Sequence, residues 1–213
     1  RIGVLRADVD NLGQTFVAGF AGKYATLSRT AALSRQLSIF FKYYIRSILK
    51  NGEYHIDGEK KLTERNATIV YSGGDDVFIV GAWNEVIELS IDLQEKFKKY
   101  TQGTLSISSG IGIYECTYPI GAIANETGEM EAESKRMPEK DSVTFMDDGE
   151  THLINELEIC DGTYRWEELY KSVLGEKYDV IQDFLGESDE RGMSFLYRML
   201  ELIRNQKEKI NFA

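Results

Sequence analysis

Two adjacent aspartates at a glycine-rich turn are the residues of this sequence best placed to do chemistry. Asp75 and Asp76 follow two glycines, between the apolar runs 67–71 and 77–80. Glycine supplies the positive φ angles of tight turns, so the pattern predicts a β-hairpin with both carboxylates at its tip. Because no basic residue adjoins them, their repulsion raises one pKa unless a cation lies between them. A bound Mg²⁺ would relieve that repulsion, and the alternative is a solvated acidic turn.

A second acidic cluster follows the first predicted strand. Residues 2–7 are mainly apolar, and Asp8-Val9-Asp10-Asn11 comes directly after them. Alternation along a strand places Asp8 and Asp10 on one side and Val9 on the other. Asp10 and Asn11 are also typical of a turn or a helix cap. Asp8 directly follows the apolar run, so a capping role explains this residue less well.

The elements that must position these carboxylates alternate along the chain. Apolar periodicity predicts strands at about 2–7, 67–71, 77–80, 105–113 and 141–146, and helices at about 30–50, 84–100 and 120–137. Polar residues 51–66 predict a surface loop or a small exposed hairpin. The order βαββαβ indicates an α+β, ferredoxin-like domain in which strands 1 and 3 are neighbours. Asp8, Asp75 and Asp76 would then converge at one edge of the sheet.

Composition bounds the remaining possibilities. The 213 residues carry a net charge of −10, which argues against a broad nucleic-acid-binding surface on this segment. Two cysteines predict no disulfide framework, and a reduced, cytoplasmic setting is expected. The chain begins within a predicted strand, which suggests a piece of a longer protein. We expect an α+β domain over 1–150 and a small helical domain over 151–213.

Two motifs together carry a family resemblance. Asp8-Val9-Asp10-Asn11-Leu12-Gly13 and Ser72-Gly73-Gly74-Asp75-Asp76 resemble the second palm domain of the large, polymerase-like subunit of type III-A CRISPR effector complexes. The C-terminal helical domain of that subunit would correspond to residues 151–213. A more distant likeness is to diguanylate cyclases, whose hairpin reads Gly-Gly-Asp-Glu-Phe. Asp-Asp-Val at residues 75–77 departs from the cyclase pattern and favours the CRISPR subunit.

The resemblance implies a nucleotidyltransferase that converts ATP to cyclic oligoadenylates. Two ions of Mg²⁺ or Mn²⁺ would activate a ribose 3′-hydroxyl and steady the leaving pyrophosphate. The implied catalytic residues are Asp8, Asp75 and Asp76, and the implied metal ligands are these three carboxylates and the Val9 carbonyl. The implied nucleotide-binding residues are Asn11, Ser72, Gly73, Gly74, Lys135 and Arg136. The alternative for the last two is an ordinary cationic helix C-terminus.

Partners and competing functions also follow from the resemblance. The implied partners are the other subunits of a CRISPR ribonucleoprotein, CRISPR RNA and target RNA, with no membrane. Family members can also cut single-stranded DNA with a separate His-Asp domain. Neither histidine of this sequence is directly followed by an aspartate, so that domain would lie elsewhere. His55 and His152 are predicted to be surface residues. Competing functions are a GTP-using dinucleotide cyclase and a catalytically idle, nucleotide-binding palm scaffold.

Overall fold

The computed structural model of the protein describes residues 1–20, 22–58, 61–147, 149–186 and 195–202. The chain divides into two compact units, Arg1–Leu169 and Tyr170–Ala213. Among the residues described, no helix is long and apolar enough to cross a bilayer.

A six-stranded sheet forms the body of the first unit. The strands of this unit, two of which lie outside the main sheet, are β1 (Ile2–Val9), β2 (Ala67–Gly73), β3 (Asp76–Ala82), β4 (Ile107–Tyr114), β5 (Ser142–Phe145), β6 (Thr151–Ile154), β7 (Leu157–Cys160) and β8 (Thr163–Arg165). The main sheet has the order β2-β3-β1-β4-β5-β8, and β6 pairs with β7 in a separate hairpin. Strand β1 is antiparallel to both β3 and β4, whereas β4 and β5 run parallel. The central position of β1 explains why its residues Gly3, Val4, Leu5, Ala7 and Val9 are buried.

Helices cover both faces of this sheet. The helices of the first unit are α1 (Leu12–Ala18), α2 (Leu27–Ile39), α3 (Ile45–Lys50), α4 (Trp83–Tyr100), α5 (Ile120–Ser134) and α6 (Trp166–Glu168), and the second unit contains α7 (Tyr178–Gly186). A π-helical turn, Phe40–Tyr44, joins α2 to α3, and a second one, Leu169–Lys177, follows α6. Residues 195–202 are also helical.

The two faces of β1 are assigned by which helix each residue touches. Gly3 lies against the backbone of Trp83 in α4, and Gly110, opposite Arg6 in the register, lies against the backbone of α5. Residues 3 and 6 of a strand point to opposite faces, so α4 and α5 cover opposite sides of the sheet. The α2–α3 stretch joins α4 on its side, where the Phe40 and Phe97 rings meet at 5.1 Å in an edge-to-face contact.

The predicted βαββαβ order is confirmed, and β1 and β3 are neighbours as expected. The helices predicted at 84–100 and 120–137 are observed within three residues of those limits. The helix predicted over 30–50 begins at Leu27 and contains the π-helical turn.

The expectation of a purely helical segment after residue 150 is wrong over residues 151–165. This stretch forms β6, β7 and β8, and β8 adds an antiparallel edge to the main sheet beside β5. Asn155 and Glu156 connect β6 to β7 with φ angles of 49° and 68°. β6 is mainly exposed, β7 is half exposed and β8 has three residues, so no buried apolar run marks these strands in the sequence. The expected helical stripe beyond Leu202 lies outside the described residues.

The polar segment 51–66 contains an antiparallel bridge between Gly52 and Thr63, as the predicted small hairpin would, and parts of it are also bound to α4. Arg65, whose side chain is 1% exposed, forms ion pairs with Glu88 and Asp92 of α4. Asp92 also accepts hydrogen bonds from the backbone N–H groups of Glu53 and Tyr54. The prediction that His55 lies on the surface is wrong, because its side chain is 8% exposed and its Nδ1 lies 3.5 Å from Glu88. Buried charges require such partners, and the segment supplies them.

The close packing of α5 on β4 predicts a stability effect at Gly110. A Cβ there would lie 2.5 Å from the Thr127 carbonyl oxygen and 2.7 Å from the Glu131 nitrogen, so α5 would have to move. We expect Gly110→Ala to lower the free energy of unfolding by about 1–3 kcal/mol in urea denaturation. Gly121→Ala is the control, because its Cβ would meet no atom within 4 Å and stability should not fall. Equal stability of the two variants would contradict the close contact.

Candidate active site

The double-aspartate hairpin is tied to the end of β1. Strand β2 ends at Gly73 and β3 begins at Asp76, so Gly74 and Asp75 form a two-residue turn. Gly74 has a φ of 67°, a conformation that glycine adopts without steric cost. The Asp75 carbonyl oxygen accepts a hydrogen bond from the Val9 N–H at 3.1 Å. This bond fixes the tip of the hairpin beside the acidic end of β1.

The register of the sheet brings the predicted carboxylates together. Asp8 lies directly opposite Asp76 in the antiparallel pairing of β1 and β3. Directly opposed residues of an antiparallel pair project on the same face, with Cβ atoms about 5 Å apart. On the other side Asp8 is opposite Ser108 of β4, whose buried hydroxyl has no hydrogen-bond partner among the residues that the structure describes. Asp76, Asp8 and Ser108 therefore form a row across three strands.

The electrostatics of the site follow from this crowding of carboxylates. Partial burial raises the pKa of Asp75 above its ordinary value, and the negative charges of Asp8 and Asp76 raise it further. The positive charge of Lys135 acts in the opposite direction. The charge of Asp76 is also the largest cause of a raised pKa at Tyr71. The site thus has an excess of negative charge that favours a bound cation.

Lys135 is the cation that faces this cluster. It follows the last residue of α5, and its ammonium group forms ion pairs with Asp8 and, at 2.6 Å, with Glu131 one helical turn earlier. The second carboxylate oxygen of Glu131 pairs with the Arg6 guanidinium at 2.9 Å. Burial alone would lower the pKa of Lys135, but its hydrogen bonds to Asp8 and Glu131 outweigh burial and raise it. Lys135 is therefore charged at neutral pH.

The other predicted nucleotide-binding side chains are bonded to residues outside the aspartate cluster. Asn11 has a left-handed φ of 53°, and its side-chain oxygen accepts a hydrogen bond from Lys140 at 2.8 Å. The Ser72 hydroxyl donates to the Phe41 carbonyl in the helical layer. Arg136 lies just beyond the end of α5 and forms its ion pair with Glu133, at 2.7 Å, instead of with Asp8.

Asp10 has the structural role that its position in a turn suggests. Its side chain is buried, and Oδ2 accepts hydrogen bonds from the Ser106 hydroxyl at 2.7 Å and the Asp141 N–H at 3.1 Å. Asp141 ends a run of three residues, 139–141, with φ between 48° and 70°. Asp10 therefore joins the end of β1 to the connections that precede β4 and β5.

The donor set is suited to a metal that is completed by its substrate. Within the described part of the chain, no three His, Cys, Asp or Glu side chains lie close enough to hold a metal ion by themselves. Mg²⁺ commonly binds through one or two carboxylates together with substrate phosphates and water. Asp8 and Asp76, opposed across two strands with Asp75 beside them, supply this sparse oxygen set.

Sequence reasoning missed Glu131, Arg6 and Lys140. Glu131 precedes Lys135 by four residues, the spacing at which side chains on a helix meet. Arg6 precedes Asp8 by two residues and so shares its face of β1. Both spacings were visible in the sequence, but the pairing of Arg6 with Glu131 depends on how α5 packs over the sheet.

Comparisons with known proteins agree with this geometry. Residues 1–144 match the family model described as Cas10/Cmr2, second palm domain, and residues 182–213 match the second helical domain of the Cmr2 subunit of the CRISPR RNA silencing complex. The chain is 44% identical, over its whole length, to the CRISPR system single-strand-specific deoxyribonuclease Cas10/Csm1 (subtype III-A) of Mycobacterium tuberculosis, and spans 26% of that protein.

Solved structures give the same result. The Csm1-Csm4 cassette in complex with one ATP superposes with a TM-score of 0.66 at 31% identity, over 81% of this chain and 24% of that one. The Csm1-Csm4 cassette in complex with cA3 gives a TM-score of 0.67 at the same identity and coverage. This chain therefore spans about a quarter of the length of the relatives it matches.

The α+β sheet of the first unit agrees with the palm domain that the family model describes over residues 1–144. The chain belongs to the Cas10/Cmr2 family of CRISPR effector subunits and contains the second palm domain of that family.

The crowding of carboxylates predicts a measurable coupling in the metal-free protein. We expect Asp76→Asn to lower the pKa of Asp75, because one of the two negative charges that raise it is removed. Carboxyl ¹³C chemical shifts titrated by NMR in the presence of EDTA would measure this change. Glu53 is the internal reference, because its lowered pKa results chiefly from a hydrogen bond with Lys96 and should stay constant. An unchanged pKa at Asp75 would show that the two side chains do not interact.

Proposed function

We propose that the protein to which this chain belongs converts ATP to cyclic oligoadenylates, as the large subunit of a cytoplasmic type III-A CRISPR effector complex. The observation that carries this proposal is the register of β1 and β3, which sets Asp8 opposite Asp76 with Asp75 at the adjoining turn. The relatives solved with one ATP and with cA3 support the choice of substrate and product. Their description as Csm1-Csm4 cassettes supports a second protein subunit as partner.

The residues of the site have distinct tasks in this reaction. Divalent cations, when bound, would supply Lewis-acid polarisation of the phosphate and of the attacking 3′-hydroxyl. Asp8, Asp76 and the Val9 carbonyl would hold these ions, and Asp75 would complete the site. Lys135 would place a positive point charge beside the triphosphate. The backbone at Gly73 and Gly74 lets the nucleotide approach without obstruction by a side chain.

Three of the predicted nucleotide contacts have secondary roles in this proposal. Asn11 would contact the nucleotide from the turn after β1, where Lys140 already holds its side chain. Ser72 would contribute through its backbone, because its hydroxyl is bonded to Phe41. Arg136 would reach the triphosphate only after it leaves Glu133.

We also propose two domains, with the boundary later than the sequence suggested. The palm domain would include the strands β6 to β8, and the helical domain would begin near the division after Leu169. The deoxyribonuclease activity in the relatives' name would reside outside this chain. His55 is followed by Ile56 and His152 by Leu153, so neither histidine forms a His-Asp dipeptide.

The test is nucleotide conversion by the full effector complex, with target RNA, Mg²⁺ or Mn²⁺, and either ATP or GTP. We expect cyclic oligoadenylate from ATP, and a loss of at least about 100-fold in rate for Asp8→Asn or Asp76→Asn, because charge stabilisation worth several kcal/mol is lost. The double variant Asp75→Ala/Asp76→Ala should make no product.

Glu129→Gln is the matched control, because it removes one carboxylate from an exposed position on α5. Its rate should equal that of the wild type. Product formed by the double variant would overturn the assignment of the site. A dinucleotide formed from GTP would overturn the assignment of the substrate. Nucleotide binding without conversion would overturn the enzymatic proposal in favour of a catalytically idle scaffold or sensor.

A further inference from the structure

Glu131 is a buried carboxylate that joins two cations on the face of the sheet beneath α5. Its side chain is 10% exposed, and its two oxygens contact different partners, Lys135 and Arg6. Lys135 in turn contacts Asp8. The four side chains form a line of alternating charge from Arg6 through Glu131 and Lys135 to Asp8.

The position of Arg6 in this line is fixed by the packing of α5. A Cβ at Gly128 would lie 2.9 Å from an Arg6 guanidinium nitrogen, so glycine leaves the space that the guanidinium occupies. Arg6 also lies on the same face of β1 as Asp8, two residues away. Glu131 is therefore paired with a cation that extends from β1 towards α5 and remains 40% exposed.

Lys135 has two acceptors, and only one of them is assigned to metal binding. A divalent cation on Asp8 would repel the nearby ammonium group. Glu131 accepts the same ammonium group at 2.6 Å, so Lys135 can leave Asp8 and remain paired. Without Glu131, the ammonium would have to be released to solvent or compete with the metal for Asp8.

We propose that Lys135 is a tethered counter-ion that neutralises Asp8 in the metal-free protein, and that Glu131, fixed by Arg6, is a positioning residue that holds the displaced ammonium beside the site. This inference rests on the proposed function, because it takes Asp8 as a metal ligand. It assigns to Glu131 and Arg6 an effect on metal affinity that neither residue exerts by direct contact with the metal.

The measurement is the affinity of the full-length protein for Mn²⁺ alone, without nucleotide, by electron paramagnetic resonance of free Mn²⁺. The Asp8→Asn/Asp76→Asn variant defines the signal of this site, because its loss of Mn²⁺ binding identifies the ions held there. Lys135→Met removes the competing ammonium, and we expect Mn²⁺ to bind about 3- to 10-fold more tightly. Glu131→Gln leaves Lys135 with Asp8 as its remaining carboxylate partner, and we expect weaker Mn²⁺ binding by a similar factor.

A double-mutant cycle separates this mechanism from simple loss of a negative charge. If Glu131 acts through Lys135, Glu131→Gln should have little effect in the Lys135→Met background. If Glu131→Gln weakens Mn²⁺ binding equally in both backgrounds, Glu131 acts only through its charge and the proposal is overturned. Glu129→Gln, an exposed substitution of the same charge on α5, should leave Mn²⁺ binding unchanged.

The remaining outcomes are also decisive. Unchanged or weaker Mn²⁺ binding by Lys135→Met overturns the counter-ion role, even where Glu131→Gln proves too unstable to purify. If Asp8→Asn/Asp76→Asn loses no Mn²⁺, these carboxylates hold no ion in the nucleotide-free protein and this inference fails, whereas the proposed function is decided separately by the nucleotide-conversion test. If that variant loses Mn²⁺ but the cycle shows no coupling between Glu131 and Lys135, this inference alone fails.

Discussion

The antiparallel pairing of β1 with β3 is the constraint on which the rest of the site depends. It sets Asp8 directly opposite Asp76, an arrangement of like charges that destabilises a pair of strands. The surrounding apolar residues hold this register nevertheless, because a slip by one residue would turn every buried side chain of β1 towards the other face. The hydrogen bond from Val9 to the Asp75 carbonyl then adds the third carboxylate. The packed core therefore holds carboxylates close together although they repel each other, and their combined negative charge attracts a cation.

Two clusters of charged side chains differ in how their carboxylates are compensated. Around Arg65, the ion pairs with Glu88 and Asp92 are supplemented by backbone N–H groups, and together they hold the segment 51–66 against α4. Around Asp8, a single lysine faces three carboxylates, and the pKa of Asp75 remains raised. In the first cluster, backbone N–H groups satisfy the carboxylate oxygens that Arg65 does not pair with, so this cluster is structural. The second is short of positive charge, which distinguishes a binding site from a structural ion pair.

Much of the fold was predictable because its strongest signals are local. Two glycines between apolar runs specify the β2–β3 hairpin, and the apolar stripe of α4 specifies that helix within one residue at its start. The βαββαβ order follows from these elements. The hairpin of β6 and β7 and the edge strand β8 were not predictable in the same way, since β6 and half of β7 are exposed and β8 has three residues. Their pairing depends on partners elsewhere in the chain, so a local pattern does not show it.

The sequence by itself determined which residues could do the chemistry: Asp8, Asp75 and Asp76 by their type and spacing, and Lys135 through the family resemblance. Side-chain type and strand periodicity are local properties, so they can be read without a structure. Only the tertiary structure decided which ions pair. The packing of α5 over β1 brings Arg6 to Glu131 and Lys135 to Asp8, across more than 120 positions of the chain. Coulomb interactions depend on distance in space, and that distance is set by the packed core.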